Sequence, residues 1–202
     1  MRALLALLVI ALSSAVAATT CAEAAESPQV SIGSTVMPLR GAVAFCQSVP
    51  DRCTKHSSAI VEMSELRFAE LYVVNLLVNE TITYEREPPE VDIWQDRDFT
   101  VGDCEDFALL KRRKLISAGW PPGALRIAIV LKRPDDDQLH AVLVASTNRG
   151  DFVLDIPDVD SKEPVAIRMW NPNEFAELRM IWGADGEWYA LGSDVKSVSA
   201  AQ

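Results

Sequence analysis

Residues Ala124 to Ile156 read "ALRIAIVLKRPDDDQLHAVLVASTNRGDFVLDI". Three apolar runs are separated by the polar stretches "PDDDQ" and "NRGD", and tight polar turns between consecutive strands predict an antiparallel meander. A second hairpin is predicted where "LRMIW" and "EWYAL" flank the turn "GADG". Upstream of the meander the periodicity is helical. In "MSELRFAELYVVNLLVNETITY" the residues Leu71, Val74, Asn75 and Val78 recur at helical spacing, with Phe68 on the side of Leu71. That pattern predicts a core helix beginning near Ile60, with Asn75 and Asn79 on or near its buried edge.

A second helix is predicted from about Cys104 to Ala118, ended by Gly119 ahead of Pro121 and Pro122. Between the two helices, "EREPPEVDIWQDRDFT" contains Pro88 and Pro89 and cannot continue a helix, so it reads as a loop that delivers Trp94 to the next element. The stretch from Ser27 to Pro50 is punctuated by Gly, Ser and Pro and reads as an irregular arm. Helices followed by a run of strands define the α+β class, with helices packed on one face of an antiparallel sheet.

The chain of 202 residues fits one domain with a hydrophobic core of its own, expected over residues 25–202. Its start, "MRALLALLVIALSSAVAATTCAEAA", combines Arg2, an apolar run and small-residue sites ending at Ala17 or Ala24, which is a secretory signal pattern over residues 1–24. A membrane anchor is the alternative, but the run is shorter than the roughly 20 residues needed to span a bilayer. Stable membrane insertion is therefore not expected once the signal is removed. A lipoprotein, modified at Cys21, is the weaker option because no bulky apolar residue stands just upstream. The formal charge of −10 becomes one unit more negative for a cut before Cys21, which removes Arg2. Such a chain is a poor partner for nucleic acid, whose phosphates demand clustered Lys and Arg. The run Lys111 to Lys114 is expected to form a solvated helix face. Asn79, Glu80 and Thr81 make a glycosylation sequon of little weight.

Four cysteines are present. Cys46 and Cys53 enclose "QSVPDR", a short loop that a disulfide would close in an oxidising compartment. A metal site is the rival reading, but no second Cys or His pair stands at zinc spacing. Cys21 falls at the edge of the signal region, which leaves Cys104 unpaired. It lies within "VGDCEDFALLKRRKL", among Asp103, Glu105 and Asp106. Asp103 is a natural helix N-cap, and Glu105 and Asp106 complement the positive end of a helix, so capping alone explains the acidic cluster.

A thiol acts as nucleophile in its thiolate form and needs a base. The chain has two histidines: His56, which reads as a surface residue, and His140, at the start of an apolar strand. Centring the turn on Asn148 to Asp151 brings His140 opposite a position near 159, so contact with Asp155 requires a bulge or a different turn centre. Cys104, His140 and Asp155 then follow the role logic of a cysteine triad. A packed core thiol and a hydrogen-bonded histidine are the plainer alternative.

The run "GDCEDFALLKRRKLISAGWPPGALRIAIV" followed by "HAVLVASTNRGDFVLD" closely resembles the bacterial transglutaminase-like cysteine peptidases. The resemblance covers Phe68 to Asp155 well and extends more loosely to about Leu191. It implies a papain-like, transglutaminase-like core and a catalytic triad of Cys104, His140 and Asp155. The best-known relatives are periplasmic, calcium-dependent proteases that clip surface adhesins and release cells from biofilm. The resemblance therefore implies an exported endopeptidase, periplasmic or secreted, whose partner is a protein substrate such as an adhesin. By position it assigns Asp103 and Glu105, and less directly Asp106, to a Ca²⁺ site, for which hard oxygen ligands are suited. Gln95 stands upstream of the cysteine, where papain-like enzymes carry an oxyanion-hole glutamine. Asp155 is followed by Ile156, Pro157 and Asp158, where the family usually has Asn after the Asp. That departure motivates the alternative of an inactive calcium- or protein-binding module. Acyl transfer to an amine, as in transglutaminases, is the other alternative.

Overall fold

The computed structural model describes residues 29–88, 90–133, 139–156, 167–175 and 177–192. The signal region, the "PDDDQ" loop and the Pro157–Asp158 neighbourhood lie outside the described residues.

The meander forms as its sequence predicts: β4 (Leu125–Leu131), β5 (His140–Thr147) and β6 (Gly150–Leu154) pair antiparallel in chain order. Alternation sorts their side chains. Leu125, Ile127, Ile129, Ala141, Leu143 and Ala145 join one core cluster, and Ala128, Val130, Val142, Val144 and Val153 join another. The sheet is therefore buried on both faces, which is why its central strands read as nearly continuous apolar runs. The terminal hairpin is also present, as β8 (Glu177–Trp182) and β9 (Trp188–Leu191). With β1 (Ile32–Val36) and β7 (Arg168–Met169) at the edges, the sheet has seven strands in the order β1-β9-β8-β4-β5-β6-β7.

Helices α1 (Arg40–Ser48), α2 (Glu65–Thr81) and α3 (Cys104–Ser117) all contribute to the first cluster, so they lie on one face of the sheet. The other face is covered by Val30, Trp170 and Phe175. Two short strands, β2 (Thr83–Tyr84) and β3 (Val101–Gly102), pair parallel and bring the end of α2 beside the start of α3. No helix among the described residues is long and apolar enough to cross a membrane.

Four expectations need correction. The Ser27–Pro50 stretch is not irregular: it holds β1, which pairs with β9, and α1, which buries Ala42 and Phe45. Helix α2 starts at Glu65 rather than near Ile60, because the Ser64 side chain accepts from the Arg67 N–H and caps the helix there. Ile60 is exposed, and Val61 instead bridges to Thr147. The basic run is not a solvated face. Lys111 is fully buried, Arg112 stacks over Trp182 at 5.2 Å and donates to the Leu125 carbonyl, and Lys114 alone of the four is exposed. The cause is the position of α3, where every residue from Cys104 to Lys111 is buried. Finally, Asp103 takes the N-cap position of α3, but its side chain makes no capping hydrogen bond.

The Cys46–Cys53 disulfide is formed, with Cα atoms 5.5 Å apart. It joins the end of α1 to the 3-10 turn Pro50–Arg52. Arg52 then pairs with the buried Asp96 at 3.0 Å. This ties the stapled loop to the segment that forms one wall of the cleft described next.

Candidate active site

Cys104 opens α3 and stands beside the start of β5. Its S–H donates to Glu105 Oε2 at 3.3 Å, and the Ala141 N–H donates to its sulfur. Burial and then the Glu105 and Asp103 carboxylates push the thiol up from its ordinary range. Helix position alone therefore does not ionise it.

His140 and Asp155 meet. The β5–β6 ladder runs from Thr147↔Gly150 to Leu143↔Leu154 in continuous register, so the turn is the two residues Asn148 and Arg149. The turn centre lies one residue earlier than the sequence reading placed it, and no bulge is needed. Continuing that register makes Asp155 a diagonal neighbour of His140 on one face, a separation that an imidazole and a carboxylate can bridge. His140 Nε2 lies 2.6 Å from Asp155 Oδ1. Burial alone would raise the Asp155 carboxyl, but His140, Lys132 and Arg168 outweigh it and hold it well below the usual range. An ionised carboxylate only accepts, so Nε2 carries the donated proton and Nδ1 is left as the basic nitrogen.

Asp155 is fixed on all sides. Its Oδ2 accepts from Arg168 Nη2 at 2.9 Å and faces Lys132 Nζ at 3.5 Å, and its Oδ1 also accepts from the Ile156 N–H at 2.7 Å. Its main-chain carbonyl accepts from Lys111 Nζ at 2.8 Å and Asn79 Nδ2 at 3.0 Å.

Cys104 and His140 line one cleft of about 420 Å³, together with Tyr84, Trp94, Asp103 and Glu105. Trp94 is delivered to that wall as its loop position predicts, packing edge-on against Trp188 and donating to Asp92 Oδ1. Gln95 does not line the cleft. Its backbone N–H and side-chain amide both donate to Asp106, at 2.9 and 3.1 Å, so the structure gives it a bracing contact instead of an oxyanion position. Both Asp106 oxygens are thereby engaged by Gln95. Burial raises its carboxyl to about 7 against the opposing Gln95 hydrogen bonds.

Asp103 and Glu105 do come together, and Glu87 joins them: one carboxylate oxygen from each lies within 4.8 Å of the others. Glu105 is pushed up to about 9, by burial and then by its hydrogen bond with Asp103 and that residue's charge. Asp103 Oδ1 is buried with no hydrogen-bond partner among the described residues. A hard divalent cation satisfies all three conditions at once. Sequence reasoning missed Glu87, because it comes from the proline-containing loop and nothing local marks it. It also missed Lys111, whose signal was present: Cys104, Ala108, Lys111 and Leu115 form one helical stripe whose other members are buried.

No curated protein sequence matches this chain. Among solved structures, three of Legionella pneumophila LapG are similar. The calcium-bound form has 24% identity, with 68% of this chain and 77% of that one covered and a TM-score of 0.47. A second LapG structure has 26% identity, coverage of 68% and 75%, and a TM-score of 0.46. The EGTA-treated form has 22% identity, coverage of 82% and 95%, and a TM-score of 0.49. The family model described as bacterial transglutaminase-like cysteine proteinase matches residues 31–194, spanning the helices, the sheet and the cleft. The chain belongs to that family and is a cysteine peptidase of transglutaminase-like fold, acting on a protein substrate.

Proposed function

We propose that this protein is an exported endopeptidase in which Cys104, His140 and Asp155 form the catalytic triad. The observation that carries the reading is the 2.6 Å contact between His140 Nε2 and Asp155 Oδ1, in a cleft that Cys104 also lines. His140 Nδ1 takes the thiol proton as Sγ attacks the scissile carbonyl carbon, and the imidazolium then protonates the departing amine. Water, deprotonated by the same nitrogen, attacks the thioester carbonyl; the C–S bond breaks, the acid is released, and the Cys104 thiolate regains its proton from the imidazolium. Asp155 keeps the imidazole in the required tautomer throughout and stabilises its charged form.

Glu87, Asp103 and Glu105 would hold Ca²⁺, and the buried, unpartnered Asp103 Oδ1 supports that fit. The ion would supply positive charge beside a thiol that burial and its carboxylate neighbours hold protonated. The substrate is a surface adhesin in this reading, the class brought by the family resemblance. A cleaved signal over residues 1–24 and one catalytic domain over 25–202 complete it, and the disulfide fits the oxidising compartment it implies.

The test incubates the host's surface-protein fraction with wild type and with Cys104→Ser, each with and without a primary amine, and maps new chain termini by mass spectrometry. Cleavage of an adhesin by wild type alone supports the proposal. Equal cleavage by the serine variant overturns it. Amine incorporation in place of new carboxyl termini moves the assignment to acyl transfer.

A further inference from the structure

Asp155 lies one residue beyond the last described ladder pair between β5 and β6, Leu143↔Leu154. Strand pairing therefore does not hold the peptide that presents the carboxylate to His140. Two helices hold it instead. Lys111 Nζ, from α3, and Asn79 Nδ2, from α2, donate at 2.8 and 3.0 Å to the same Asp155 carbonyl oxygen and fill both of its lone pairs.

The donor from α3 is an unusual choice. Lys111 is 1% exposed, and a fully buried ammonium carries a heavy desolvation cost that a neutral donor would avoid. What Lys provides is reach, with a terminal nitrogen that donates whether or not it is charged. It extends from the buried stripe of α3, seven residues and about 10 Å of helix beyond Cys104, to the strand end that carries the third triad member.

We infer that Lys111 and Asn79 form a two-donor clamp that positions Asp155, and through it His140, relative to the cysteine at the head of the same helix. Both are positioning residues and touch no substrate. The inference rests on the triad reading above, and it assigns to α3 two tasks: presenting the nucleophile and fixing the partner of its base.

The experiment uses Lys111→Met, Asn79→Ala and wild type, each followed by three measurements. These are thermal unfolding, the ¹⁵N–¹H spectrum of the imidazoles, and the rate of iodoacetamide labelling of Cys104 at one fixed pH. With two histidines in the chain, His140 is identified by its absence in His140→Ala. For Lys111→Met the expected result is cooperative unfolding with no fall in midpoint, loss of the shifted Nε2–H signal, and labelling at least fivefold slower. Asn79→Ala is expected to move the same readouts less. A folded Lys111→Met with the wild-type His140 spectrum and labelling rate overturns the clamp. If that variant does not fold, Asn79→Ala decides on the same signals. Failure of the triad reading would look different: Cys104→Ser would still cleave, while the His140 spectrum would continue to report on the clamp.

Discussion

Lys111 carries an ammonium to a place that solvent does not reach, and the consequence can be read in pH. Burial lowers its pKa from 10.5 to about 7, against the pull of Asp155. Between those values the unfolded chain holds a proton there that the native chain has lost, so unfolding takes one up. Raising the pH through this window therefore stabilises the fold, by at most about 1.4 kcal/mol per unit. Urea denaturation at pH 7 and at pH 9.5 should give a rise attributable to Lys111 as the difference between wild type and Lys111→Met. Taking that difference cancels Glu105, whose raised pKa acts with the opposite sign. Gly41 makes a second prediction at this scale. Its N–H donates to Asp92 Oδ2 at 2.7 Å, and an added Cβ would collide with the Asp92 side chain and the Trp94 indole. Gly41→Ala should lose about 1–3 kcal/mol in denaturant titration and push Trp94 out of the cleft wall.

Among the elements, the disulfide-closed turn has the widest reach for its size. It holds Arg52 against Asp96, and Arg113 of α3 donates to the Asp96 carbonyl at 2.7 Å, so the turn, the cleft wall and the helix that opens with Cys104 share one residue. Replacing both Cys46 and Cys53 by Ser should lower stability by about 2–3 kcal/mol, measured by chemical denaturation under non-reducing conditions. The sequence made some elements plain and hid others for physical reasons. The meander was legible because its signals are local: β-rich apolar runs and polar turns. Helix α1 was not, because it is nine residues long, carries no capping side chain, and depends on Ala42 and Phe45 meeting a core built elsewhere. The basic run misled because four consecutive side chains point around a whole helix, and one helix packed on a sheet and against α2 has little outside.

At the scale of the molecule, the order of thiol, histidine and carboxylate could be read from the sequence because they follow one another within one stretch of chain, at the start of α3, at the start of β5 and just after β6. Glu87 could not, since it reaches the site only through the parallel β2–β3 contact that turns its loop toward α3. The three-carboxylate group predicts a dependence of global stability on the cation. Calcium at a hundredfold excess over its Kd should add about 2.7 kcal/mol. A chelator should then lower the thermal midpoint by about 5–10 °C in a chain of this size. Glu87→Gln should shrink that shift, and scanning calorimetry reads both.

The outermost strand β1 pairs with the last strand, β9, with Ile32 opposite Leu191. Strands β1 and β9 therefore end side by side at one edge, but the chain just before β1 crosses back over the sheet, where the Val30 N–H donates to Asp151 Oδ2 of β6 at 2.8 Å. A pull applied between Ile32 and Leu191 would load the hydrogen bonds of that pair one after another, as a zipper opens, instead of shearing them together. The molecule is mechanically weak at this seam. His140 and Asp155 meet on the β5–β6 side of the sheet, with β8 and β4 in between. Tension on the start of the chain would therefore have to break the Val30 anchor on β6 before it reached the β1–β9 pair.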